Sequence, residues 1–276
     1  MVNEKTQQQL AEALEESIAK VKEMGYTPIY AANYGSHNYN LHINLDEYQS
    51  DIDTKVIILP TLEELVNNST PVSTTIDIST GQCDIKDIRA FIPTLMKANI
   101  QFLEILAAQV FWINPDFEKE IIWMTAHLDD LVQESKNELL KSIRGMCFEK
   151  QKALCHPYPT IKWKIDKWGY DGKQLHHIFR LYDFIQAYFY NNLTFRYSLW
   201  YDSDSQQRKK LMAAKLNKYT LEEAQCLAEG YNKLIKEETE KLMNEVPPMT
   251  NYREQYQQKA KQMIINNIKK RIKEDK

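Results

Sequence analysis

Extended, β-type sequence is confined almost wholly to the first 112 residues of this 276-residue chain; beyond Asn114-Pro115, apolar residues recur at helical spacing. The pattern predicts an α+β architecture: a small mixed sheet with flanking helices, followed by a helical C-terminal half. It divides the chain into residues 1–112 and residues 113–276.

Within the first part, Leu10, Ala13, Leu14, Ile18 and Val21 mark an amphipathic helix over 5–24, stopped by Gly25. Residues 27–33 read as a strand, 41–50 as an irregular insert, and 51–59 as a second strand. A short helix follows Pro60. The Thr- and Ile-rich run 73–87, with Gly81 inside it, reads as strand, turn, strand. Asp87 is positioned to cap a helix running from 88 to about 108. Later helices are expected over 116–123, 125–154, 172–191, 204–216, 220–243 and 250–274.

Lys plus Arg is 35 and Asp plus Glu is 38, a formal charge of -3, so the whole chain does not advertise nucleic acid. The basic run Lys269 to Lys273 reads as a solvated helix end rather than a binding arm. Four cysteines without a C-x-x-C pair argue against a zinc cluster and for free thiols. No run approaches about 18 uninterrupted apolar residues, and the N-terminus has no secretory apolar core. The expectation is a cytoplasmic, intracellular protein with no membrane partner.

The chemistry-bearing stretch is 34–61. Gly35-Ser36 forms a small turn, and after a 14-residue insert Asp51 and Asp53 enter the apolar run Val56–Leu59. Carboxylates at i and i+2 on a strand point to one face and can reach one metal ion. A Gly-Ser turn can offer backbone N–H groups and a hydroxyl to phosphate. A third carboxylate, Asp84, alternates with Cys83 and Ile85 onto the polar face of a later strand; Asp77 and Asp87 compete for that place. Three carboxylates on adjacent strands suit two divalent cations. In the helical part, Lys173, His177 and Arg180 stand at i, i+4 and i+7 on one face.

These residues resemble the DNA polymerase beta-like nucleotidyltransferase superfamily, and within it the predicted nucleotidyltransferases of bacteria and their phages. Gly35-Ser-His-Asn-Tyr-Asn40 looks like that branch's Gly-Ser-His-Ala-Tyr-Gly turn, and Ser50-Asp-Ile-Asp53 like its Ser-Asp-Ile-Asp. Asp87-Ile-Arg-Ala-Phe91, Lys97-Ala-Asn99 and Leu103-Glu-Ile-Leu106 follow its next helix. Gly169-Tyr-Asp-Gly-Lys173…His177-Ile-Phe-Arg180-Leu181 is similar to its second block, and Lys215-Leu-Asn-Lys-Tyr-Thr-Leu-Glu-Glu-Ala224 to a third. Asn40 stands where the branch has Gly, Ile100 where it has Pro, and the 14-residue insert is long.

The resemblance implies a nucleotidyltransferase core at 1–112 and a helical domain at 113–276. It implies transfer of a nucleoside monophosphate from a nucleoside triphosphate such as ATP to an acceptor hydroxyl, with pyrophosphate leaving. The acceptor would be a protein, an RNA or a small molecule. Asp51, Asp53 and Asp84 would hold two magnesium ions, or manganese. Gly35, Ser36, Lys173, His177 and Arg180 would bind the nucleotide. Two alternatives share the fold: a catalytically silent nucleotide-binding regulator, and an RNA- or tRNA-modifying toxin-like enzyme.

Overall fold

The computed structural model describes residues 4–45 and 48–274 and forms two compact units. Residues 1–135 and 248–276 make the first unit, and residues 136–247 the second. Helical character begins near 114, but packing divides the chain elsewhere: the helices up to Ser135 and the C-terminal one join the strands.

The first unit begins with α1 (Glu4–Glu23), which ends at Gly25 with φ +85. Next come β1 (Thr27–Tyr34) and a 3-10 turn (Gly35–Tyr39). The insert expected to be irregular is a two-stranded hairpin, β2 (Asn44–Leu45) with β3 (Tyr48–Gln49). Its base is closed by Ser50 N–H donating to Ile43 O at 2.9 Å and Ile43 N–H to Ser50 Oγ at 2.8 Å.

Then follow β4 (Asp53–Leu59), α2 (Leu62–Val66), β5 (Ser73–Ile78) and β6 (Gly81–Asp87). The helix expected over 88–108 breaks in two, α3 (Ile88–Met96) and α4 (Ile100–Leu106). Ala98 adopts φ 47, and the Asn99 side chain caps the new start by accepting from Gln101 N–H at 3.0 Å. A short strand, β7 (Phe111–Ile113), pairs with β1. Helices α5 (Glu118–Ala126) and α6 (Leu128–Glu134) complete this run.

Among the described residues the main sheet has five strands in the order β5-β6-β4-β1-β7. Only the β4–β6 pair is parallel. This is the mixed α+β fold the sequence predicts, with a helical C-terminal half. Alternation sorts β4 into two faces. Thr54, Val56 and Ile58 lie with Ala31, Cys83 and Ile85 beneath Leu10, Leu14, Ile18 and Val21 of α1. Burying a side chain the size of Leu14 contributes about 1.5–3 kcal/mol. Tyr30 and Ile57 face a second apolar layer with Ile88, Phe91, Leu106, Ile121 and Met124.

The second unit contains α7 (Lys136–Ala153), α8 (Lys162–Trp168), α9 (Gly172–Ile185), a π turn (Gln186–Tyr190), α10 (Phe195–Ser198), α11 (Gln206–Lys215) and α12 (Leu221–Met243). The helix expected over 125–154 is thus divided at His127 and Ser135, and α8 forms where none was expected. The chain returns to the first unit through α13 (Tyr252–Glu274), anchored by the fully buried Tyr256, whose hydroxyl donates to Met124 O. Among the described residues no helix is long and apolar enough to cross a membrane.

Candidate functional site

Strand register assembles the site in the first unit. Tyr34 pairs with Asp53 across β1 and β4, so the turn after Tyr34 starts beside the carboxylate. Gly35 adopts φ +77, and a Cβ there would stand 3.7 Å from Asp53 Oδ2. The left-handed backbone favours glycine, and the carboxylate lies at ordinary contact distance from the turn.

The turn is held from behind. Asn38 Oδ1 accepts from Gln109 N–H at 2.9 Å, Tyr39 donates its hydroxyl to the buried Glu104 carboxylate, and Leu41 N–H donates to Ser36 O at 2.9 Å. The His37 and His42 rings stack at 4.5 Å, and His37 Nε2 lies 3.4 Å from Ser50 O. Asn40 is left-handed, φ 60 and ψ 37. Asn tolerates that conformation better than other side chains, so its departure from Gly keeps the turn.

Asp51 and Asp53 flank the buried Ile52, whose N–H donates to Thr80 O at 2.9 Å and whose side chain joins the α1 layer. Asp53, opposite in alternation to Thr54 and Val56, lies on the face of β4 away from α1. Asp51 is exposed and precedes the strand, which begins at Asp53, and Asp53 is half-buried. Asp53 Oδ1 accepts from Gln82 N–H at 3.2 Å.

The competing acids separate cleanly. Asp87 is fully buried; it caps α3 by accepting from Arg89 N–H at 2.7 Å and takes the Arg89 guanidinium. Asp77 is exposed on the edge strand, with Oδ1 3.4 Å from Gln82 Nε2. Asp84 shares a face with Asp53, but its register partner is Lys55. Lys55 Nζ lies 2.7 Å from Asp84 Oδ2, and Lys86 Nζ lies 3.6 Å from Oδ1.

Asp51 and Asp53 are all-oxygen donors, which fits one magnesium-type ion completed by phosphate oxygens and water. Asp84, the third expected ligand, is already ion-paired with Lys55. Among the described residues no group of three or more His, Cys, Asp or Glu could hold a metal ion. Lys55 went unnoticed in the sequence, although its alternation with Asp53 in an otherwise apolar strand marked it.

The second unit has its own charged centre, and the Gly169–Lys173 block builds it. Gly169 ends α8 in the left-handed region, φ +79. Tyr170 is fully buried and donates its hydroxyl to Tyr219 O at 2.8 Å. Asp171 caps α9 and takes Lys164 Nζ at 3.1 Å. A Cβ on Gly172 would stand 2.0 Å from Ala214 O, so only glycine lets α11 approach.

That approach brings Lys215 near Lys173, Arg180, Lys164 and Arg208; burial first, then these cations, push Lys215 down to about 8. Burial and Lys173 likewise lower Lys150. His177 is held well below its ordinary value by burial and by Arg180, so it is neutral at pH 7 and adds no charge. Of the three expected residues, Lys173 and Arg180 are the cations; Lys150 and Lys215 join them.

No protein-family model matches this chain, and no curated protein matches it. Among solved structures it is similar to a nucleotidyltransferase-like protein from Exiguobacterium sibiricum 255-15. That likeness has 8% identity and a TM-score of 0.28, over 91% of this chain and 87% of that one. A likeness at that score does not establish a common fold, and the geometry above stands without it.

Proposed function

We propose that this protein is a nucleotidyltransferase that moves a nucleoside monophosphate from a triphosphate to an acceptor hydroxyl. The observation that carries this reading is the Tyr34–Asp53 register, which sets the Gly35-Ser36 turn beside the Asp53 carboxylate. A phosphate-sized anion at that turn meets backbone N–H groups and the Ser36 hydroxyl beside a carboxylate pair. Asp51 and Asp53 would hold magnesium, or manganese. When bound there, the ion neutralises phosphate charge that the two acids would otherwise repel. Within the second unit, Lys173 and Arg180 offer a cationic centre of their own that suits phosphate oxygens, Arg through two nitrogens and Lys as a point charge. His177 contributes at most a neutral N–H. The acceptor hydroxyl attacks the α-phosphorus, and pyrophosphate leaves.

A second reading is a nucleotide-binding protein without turnover. The Lys55–Asp84 ion pair favours it, because it removes one carboxylate from metal chemistry.

The test is incubation with each α-labelled nucleoside triphosphate, magnesium and a cell lysate, beside Asp51→Asn/Asp53→Asn. Label transfer by the wild type alone supports the enzyme. Triphosphate binding without transfer supports the second reading. Absence of both binding and transfer rejects the two together.

A further inference from the structure

Lys55 lies where two-ion chemistry has no room for a lysine. It is 3% exposed, on the central strand of the sheet. Its ammonium sits 4.7 Å from the centre of the Tyr34 ring, 4.6 Å from that of Phe102, and 2.7 Å from Asp84 Oδ2. Two aromatic faces and a carboxylate surround a cation that has left water, an arrangement that stabilises the cation in place. Register fixes its backbone beside the acid: Lys55 pairs with Asp84 on one side and with Ala32 on the other.

In two-ion phosphoryl transfer the metals stand about 3.5–4 Å apart and share the carboxylates between them. Here the carboxylate that would serve the second ion already faces one ammonium at contact and Lys86 at 3.6 Å. A dication added to that carboxylate would meet a buried positive charge already at contact distance.

We propose that Lys55 takes the place of the second divalent ion. The site binds one divalent cation, on Asp51 and Asp53, and Asp84 is committed to the lysine. A lysine supplies fixed charge but no Lewis acidity, so no second ion lowers the acceptor hydroxyl's pKa, and its proton passes to solvent water as the oxygen attacks. This rests on the nucleotidyltransferase reading, and the experiment separates the two.

The full chain is mixed with manganese and each of the four α,β-methylene nucleoside triphosphates. After ultrafiltration, bound nucleotide is measured by absorbance and manganese by electron paramagnetic resonance of the acid-released ion. The expected result is one manganese per bound triphosphate in the wild type, one in Asp84→Asn, and two in Lys55→Met. Lys55→Arg keeps the count at one. Two ions per triphosphate in the wild type, or a count that falls in Asp84→Asn, overturns the proposal. If Lys55→Met does not fold, the wild type and Asp84→Asn decide it. Absence of triphosphate binding overturns the nucleotidyltransferase reading itself, and this inference with it.

Discussion

Gly81 and Asp53 touch across the β4–β6 edge: a Cβ on Gly81 would stand 3.1 Å from Asp53 Oδ1 and 2.7 Å from the Ile52 carbonyl oxygen. An L side chain there must push the strand that carries the acids. Gly81→Ala is expected to cost roughly 1–3 kcal/mol, as overpacking does. It should also weaken triphosphate binding in the molecules that remain folded. Gly145, in α7, has open space around it, and Gly145→Ala is expected to be neutral or stabilising by about 0.5–1 kcal/mol. Urea titrations and nucleotide binding on both variants check this; equal behaviour of the two would remove the contact from the account.

Asp87 is a structural acid. It is fully buried, accepts the Arg89 backbone N–H at 2.7 Å and faces the Arg89 guanidinium. Asp87→Ala leaves that guanidinium unpaired and α3 uncapped. The expected loss is about 3 kcal/mol, the lower end for a broken buried pair, because Arg89 keeps some contact with water. Nucleotide binding per folded molecule should be unchanged. A stable Asp87→Ala protein that binds no triphosphate would instead put Asp87 in the site.

The second unit should be acid-sensitive. Burial, with Arg180 next in effect, pushes His176 down to about 3, and its Nδ1 lies 3.0 Å from Leu211 O. In the unfolded chain the same imidazole titrates near 6.5. Below that pH the unfolded state takes up a proton that the folded state refuses. Stability is therefore complete above about 6.5 and is lost as pH falls toward 3, by up to about 1.4 kcal/mol per pH unit for each such histidine. His177 is shifted the same way and adds to the slope. In urea titrations between about pH 6 and about pH 4.5, His176→Gln should lose roughly half of that slope. An unchanged slope would show that His176 takes its proton while the protein is folded.

Lys215 should be the most reactive amine of the second unit. Held at about 8 by burial and four neighbouring cations, it is partly neutral near pH 7.5, where an ordinary lysine is roughly 0.1% neutral. Limited acetylation followed by mass spectrometry should find Lys215 modified ahead of the exposed Lys209 and Lys218. Inorganic triphosphate bound to the cluster restores the proton and should slow the reaction. Modification of Lys215 no faster than that of Lys209 or Lys218 would count against the cluster.

Local pattern set much of this molecule. The helical spacing of Leu10, Leu14, Ile18 and Val21 fixed α1 and the layer it covers, because a 3.6-residue period leaves one apolar stripe. Asp87 announced a helix start and Gly25 a helix stop, through interactions within a few residues. Tertiary structure decided what the acids of the site meet. Strand register set Tyr34 against Asp53 and Lys55 against Asp84, and it is fixed by pairing between segments tens of residues apart. Only that pairing turned a predicted third metal ligand into one half of an ion pair. Likewise, the packing of α11 on α9 through Gly172, and no spacing along the chain, added Lys215 to the cations Lys173 and Arg180. Periodicity is a property of neighbours in sequence; the charge a site carries depends on neighbours in space.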